Sequence, residues 1–269
     1  MGEASILTTD PARELAELLT ALQSGNTSVA GSEFLAEKFG VKAWSQDFYR
    51  LISTIMDRLA ALSTIIEGLS LDEDYQAEMV EHINDIATAF SPSGFQNAWQ
   101  SFGGDKISAR NVQPLKGLSG LVRQTVEYRR LSADELAELI ETVGELTEWL
   151  EAHQLAEQDF IRQALIEGLS QLSFRLQRFE WLGWGYALDT LREIIAAYLL
   201  LERHGGAAQD NPDAHAVLKK VGAVIKTVYE KTRTVKTVID TGDWLLKAYG
   251  AATLAQHSGP VIKALLPGT

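Results

Sequence analysis

A chain of 269 residues with 46% hydrophobic and 22% charged residues can bury a substantial core, in one large unit or two smaller ones. It has no cysteine, which excludes disulfides, thiolate nucleophiles and cysteine-based metal sites and fits a reducing compartment. The net charge of −12 speaks against broad nucleic-acid binding, yet it is uneven: residues 51–100 carry eight acidic and one basic side chain, whereas residues 201–269 carry nine basic and six acidic.

The opening residues MGEASILTTD lack the basic and apolar regions of a secretory signal, and Ile6 stands where myristoylation needs Ser or Thr. The longest apolar uncharged run near a helix, 194–201, falls far short of the roughly 20 residues that cross a bilayer. A cytoplasmic location, at most peripheral to a membrane, is the expectation.

Helical periodicity recurs from end to end. Asp10-Pro11 supplies an N-cap followed by Pro at the first helical position, and Leu15, Leu18, Leu19 and Leu22 then share one face up to Gly25. A polar linker (24–31) leads to a short helix over 32–39 that ends at Gly40, and a long helix follows over about 43–69. Ser70-x-x-Glu73 reads as a capping box opening the next helix, through Met79, Ile83, Ile86 and Phe90. The Gly- and aromatic-rich stretch 91–106 reads as a break between subdomains. A further helical pattern contains Pro114 and ends near Arg130. Ser132-x-x-Glu135 is a second capping box, and its helix sets Leu139, Val143, Leu146 and Leu150 opposite seven acidic groups between Asp134 and Glu151.

Helices are expected over about 156–179 and 186–203, meeting at RFEWLGWGYALDT (178–190). Two Trp, one Tyr and two Gly within six residues suit a ligand platform, a membrane anchor or the packed corner of a helical hairpin. The corner is favoured, with Trp181, Trp184 and Tyr186 as a protein-contact surface in reserve. Gly205-Gly206 ends the second helix and Asn211-Pro212 starts another. Segment 216–250 is rich in β-branched residues that favour strands, but Val217, Val221, Val224, Val228, Val235 and Val238 keep a spacing of three to four that only a helix needs.

Sites of chemistry are sparse. Glu78 and His82 lie at i,i+4, a spacing that can hold a divalent ion, but no second Glu-x-x-His accompanies them as a di-metal bundle requires. A solvated face with Met79 and Ile83 inward is the stronger reading, and no cofactor is expected. GLSGL (117–121) lacks the spacing and strand of a nucleophile elbow, and no phosphate loop occurs.

The sharper feature is the basic tail. Lys219, Lys226 and Arg233 recur every seven residues, opposite the Val seam and followed by Trp244 and Leu245. Such a segment can pack on the acidic body, join copies of the chain or lie on an anionic membrane.

The expectation is an all-α, multi-helix bundle of about 8–10 helices with long antiparallel hairpins and a C-terminal basic amphipathic helix. Its parts would be 1–104, 105–205 and 206–269. Functionally it reads as a non-enzymatic interaction or assembly protein, self-associating through the C-terminal helix or binding another protein. The alternative is a membrane-active helical effector of toxin or phage-defence type. A cryptic metal or small-molecule site is the weaker third reading.

Overall fold

The computed structural model describes residues 8–23, 28–155, 159–183, 190, 194–201 and 212–232. Helix dominates them, with extended pairs only at Thr8–Thr9 and Tyr128–Arg129, so the all-α expectation holds. The helices are α1 (Pro11–Gln23), α2 (Gly31–Phe39), α3 (Gln46–Glu67), α4 (Glu73–Thr88), α5 (Pro92–Gln96), α6 (Gly103–Lys106), α7 (Ala109–Val122), α8 (Ala133–Glu151), α9 (Asp159–Gln177), α10 (Phe179–Leu182), α11 (194–201) and α12 (Pro212–Thr232). A 3₁₀ turn at Trp99–Ser101 precedes α6.

The chain forms two compact units. The first runs from Thr8 to Glu127 and also takes in a later segment, Arg178–Gly183; the second holds Tyr128–Gln177 and the described residues after Gly183. The subdomain break expected at 104 therefore falls inside the first unit. The reason lies in the stretch that suggested it. Trp99 is fully buried and stacks on Phe34 at 4.7 Å between ring centroids, and Trp99 N–H donates to the Val29 carbonyl. A Cβ at Gly103 would lie 2.3 Å from the Trp99 ring, and one at Gly31 would lie 2.0 Å from the Gly94 carbonyl oxygen. The glycines let backbones close around one large ring, which makes the stretch a core rather than a linker.

Helix ends follow local chemistry. Asp10 is buried and caps α1 by accepting from Arg13 N–H at 3.0 Å; its other oxygen accepts from Ser119 Oγ at 2.5 Å and Arg123 Nε at 3.0 Å, which ties α1 to α7. Ser119 of GLSGL is thus a buttress for a buried carboxylate. The Ser132/Glu135 capping box forms in full. The one expected at Ser70/Glu73 does not: Asp72, an equally good N-cap, accepts from Asp74 and Tyr75 N–H instead. Gln76, in the first turn of α4, then donates to the Ile66 and Leu69 carbonyls at the end of α3. The helix containing Pro114 stops at Val122, not near Arg130, where Thr125 and Val126 N–H turn back onto the Val122 carbonyl.

In the first unit α1 packs on α7 and α3, and α4 packs on α3, α6 and α7; in the second, α8 packs on α9 and α12. The buried face of α9 opens on Ile161 and Leu165. Phe160 is 64% exposed and Ala164 is also exposed, while Ile161 and Leu165 are buried, because the helix begins at Asp159 and Arg162 turns inward. Arg162 donates to the Leu150 carbonyl at 2.8 Å and to Asp159, so one buried guanidinium closes the end of α8 and the start of α9. That contact holds the Asp159 carboxyl below its ordinary range and pushes Arg162 up.

Candidate interaction surfaces

The metal candidate has another use. His82 Nδ1 lies 2.9 Å from Asn111 Oδ1, an arrangement in which the imidazole donates, and Asn111 Nδ2 donates to the Lys106 carbonyl. Glu78 is 62% exposed on its side chain and stands 3.8 Å from His82 Nε2. Among the described residues no three His, Asp or Glu side chains converge as a metal would need. With Lys106 paired to Asp85 at 2.9 Å, His82 belongs to a polar seam that fastens α4 to α6 and α7. The same lysine holds the Asp85 carboxyl below its usual range.

Trp181 is placed by the first unit. α9 stops at Gln177, and the single turn of α10 sets Trp181 edge-on to Phe39 at 5.1 Å. Leu182 is buried beside it. The Trp181 carbonyl accepts from Arg58 Nη1 at 2.8 Å, and Arg58 Nη2 lies 3.4 Å from Glu14 Oε2. Gly183 follows with φ 72° and ψ 173°, a region nearly closed to side chains. A Cβ there would meet Arg58 Nη2 at 2.5 Å and Glu14 Oε2 at 2.6 Å. Trp181 thus packs, but against α2 and α3 and not at the corner of its own hairpin as the sequence pattern suggests. Trp184 and Tyr186 lie outside the described residues.

The Val seam is helical over the part described. Val221 and Val228 are buried and Val224 is half-buried, meeting Leu146, Leu169, Leu172 and Ile194 within the second unit. These turns dock on the chain's own core. Lys219 and Lys226 are exposed on the opposite face, and Lys220 Nζ sits 4.5 Å over the Trp149 ring, on which His153 stacks at 4.0 Å. Val235, Val238, Arg233, Trp244 and Leu245 lie outside the described residues.

Sequence reasoning passed over two groups of residues. Arg58 is the one basic residue among the acids of 51–100, and it sits on the apolar stripe of α3 between Ile55 and Leu59; a lone charge on a buried stripe was the available signal. The second group is the corner between α2 and α3. Gly40 ends α2 in a Schellman turn, with Val41 N–H on the Ala36 carbonyl. Ser45 caps α3 by accepting from Phe48 N–H. Between them Trp44 has φ 62°, and no other described residue except glycine has a positive φ. Trp44 is 50% exposed and Tyr49 is 53% exposed; their rings lie 6.2 Å apart over Phe48 and Phe95. Trp44 precedes the N-cap and Tyr49 is in the first turn, so the pair makes a hydrophobic staple. A staple explains the contact but not the strain, nor why both rings stay in water.

Among the described residues the buried charges are consumed by structure: Asp10 caps α1, Arg162 closes the α8–α9 turn, and Arg58 holds Trp181. No protein-family model, no curated protein and no solved structure matches this chain.

Proposed function

We propose that this chain is a non-enzymatic assembly protein that binds a second copy of itself through the Trp44–Tyr49 corner. The observation that carries the reading is Trp44: a bulky side chain held at positive φ and half in water costs about 1–3 kcal/mol of backbone strain, with little core burial to offset it. Trp, Tyr and Arg dominate binding hot spots, and Arg50 is exposed next to Tyr49 with Lys42 on the other side of Trp44.

A second copy offers a complementary surface. The outer face of α8 exposes Asp134, Glu138, Glu141, Glu145 and Glu148 in one row at helical spacing, opposite its buried Leu139, Val143, Leu146 and Leu150. Unlike surfaces then meet, the basic aromatic corner of one copy against the acidic row of the other. With the described turns of the Val seam packed inside the second unit, this corner supports self-association better than α12 does.

Sedimentation velocity of the full chain tests the proposal. Association is expected at low salt and should weaken as salt rises. Trp44→Ser with Tyr49→Ser should abolish it, Arg50→Glu should weaken it, and adding Glu141→Lys and Glu145→Lys should recover part of the loss. A monomer at every salt and protein concentration refutes it.

A second reading, a membrane-active effector, draws on the exposed Lys219 and Lys226, whose seven-residue spacing continues in sequence to Arg233. It requires leakage from anionic vesicles that Trp244→Asp with Leu245→Asp abolishes; intact vesicles across a broad pH range eliminate it. No described helix is long and apolar enough to cross a membrane.

A further inference from the structure

The clasp at 178–183 has the anatomy of ligand recognition. Six consecutive residues belong to the first unit, while Tyr128–Gln177 before them and the described residues after them belong to the second. Within those six, recognition is divided as in a peptide-binding cleft. Trp181 is an aromatic anchor against Phe39, and Leu182, 1% exposed, is an apolar one. Arg58 reads the main chain by donating to the Trp181 carbonyl, and it is itself buried, at 6% exposure, and steadied by Glu14. Glycine is required next, by its φ of 72° and by the 2.5–2.6 Å that any Cβ would have to Arg58 and Glu14.

A buried guanidinium aimed at a main-chain carbonyl is costly wherever that carbonyl is missing, because the charge then stays desolvated with one acceptor fewer. The surface that Glu14, Phe39 and Arg58 present to residues 178–183 therefore needs an occupant. What it selects is short and linear: an aromatic anchor whose carbonyl is free at the end of a helical turn, an aliphatic residue, then glycine.

We propose that this surface is a binding site for a Trp-Leu-Gly turn, that the chain fills it in cis with residues 178–183, and that the same turn presented in trans competes for it. The clasp is then a reversible closure that an added peptide bearing this turn can open. The inference is independent of the self-association proposed above, since it involves neither Trp44 nor the acidic row of α8.

The probe is a capped synthetic peptide of residues 176–183, LQRFEWLG, carrying a fluorophore. The protein is the full chain, as wild type and with Trp181→Ala plus Leu182→Ala to weaken the cis occupant. A segment tethered in cis competes at an effective concentration in the millimolar range, so the variant should bind the peptide at least about tenfold more tightly than wild type. Peptide should also raise the melting temperature of the variant and leave that of wild type unchanged. Peptides with the tryptophan changed to Ala or the glycine to Val should do neither, and Arg58→Met in the variant background should remove binding. If the double variant does not fold, Leu182→Ala alone takes its place with the same expectations. Equal binding to wild type and variant, equal binding of the altered peptides, or no binding to a folded variant at millimolar peptide overturns the proposal.

Discussion

Replacing Gly183 with Ala tests whether the clasp is held by backbone geometry. Two independent costs arise. The φ of 72° with ψ of 173° lies where side chains are strained by about 1–3 kcal/mol. The new methyl would stand 2.5 Å from Arg58 Nη2, 2.6 Å from Arg58 Cζ and 2.6 Å from Glu14 Oε2, so the buried pair must shift, an overpacking cost of about 1–3 kcal/mol. Together the loss should be about 2–6 kcal/mol, read as a fall in the urea midpoint of the full chain followed by tryptophan fluorescence. The second cost depends on Arg58. In an Arg58→Ala background Gly183→Ala should keep the strain and the contact with Glu14 but lose the clash with Arg58, so the double-mutant cycle should show a coupling of about 1 kcal/mol or more. Gly117→Ala is the control: no atom lies within 4 Å of a Cβ there, and the change should stabilise α7 by up to about 1 kcal/mol. A loss below about 1 kcal/mol for Gly183→Ala, or an undiminished loss without Arg58, refutes the reasoning.

Two helix glycines that look alike in sequence should respond oppositely. A Cβ at Gly168 would lie 2.9 Å from Ile194 Cγ1, so Gly168→Ala should destabilise by about 1–3 kcal/mol; Gly144 has no atom within 4 Å, and Gly144→Ala should stabilise by up to about 1 kcal/mol, both read by thermal unfolding. Asp159 is held below its ordinary value of 3.8, chiefly by its hydrogen bond from Arg162. A depressed carboxylate contributes its stability in full above that value and loses it as pH falls through the lower folded-state pKa; Asp159→Asn should flatten the acid limb of the stability curve below about pH 4. Trp44→Asn should relieve about 1 kcal/mol of strain, because Asn tolerates positive φ, and so should leave melting unchanged or raised while association is lost; a melting temperature that falls along with association would make Trp44 a core residue instead.

The helices were legible because each carries its own signals. The 3.6-residue apolar spacing buried Leu15, Leu19 and Leu22, and Leu139, Val143 and Leu146, as the pattern required. Asp10-Pro11 and Ser132-x-x-Glu135 placed two helix starts to the residue. Helical spacing also prevailed over the β-branched composition of 216–232, because a repeat of three to four residues aligns Val221, Ile225 and Val228 on one buried face and a strand would scatter them.

What depends on distant neighbours was not legible. Stretch 91–106 has the composition of a linker, and only Phe34 and the close backbones of Gly31 and Gly94 make it the core around Trp99. Gly144 and Gly168 differ only in whether another helix arrives. Ser70 lost its cap to Asp72, a competition between two good candidates that the approach of Gln76 to the end of α3 accompanies. In sequence Trp181 reads as a corner residue of its own hairpin, whereas its partners, Phe39 and Arg58, stand 142 and 123 positions earlier in the chain. Periodicity and caps are local interactions written within a few turns of helix. The partner of a buried charge or an aromatic anchor is chosen by packing across the chain, and tertiary structure alone decides it.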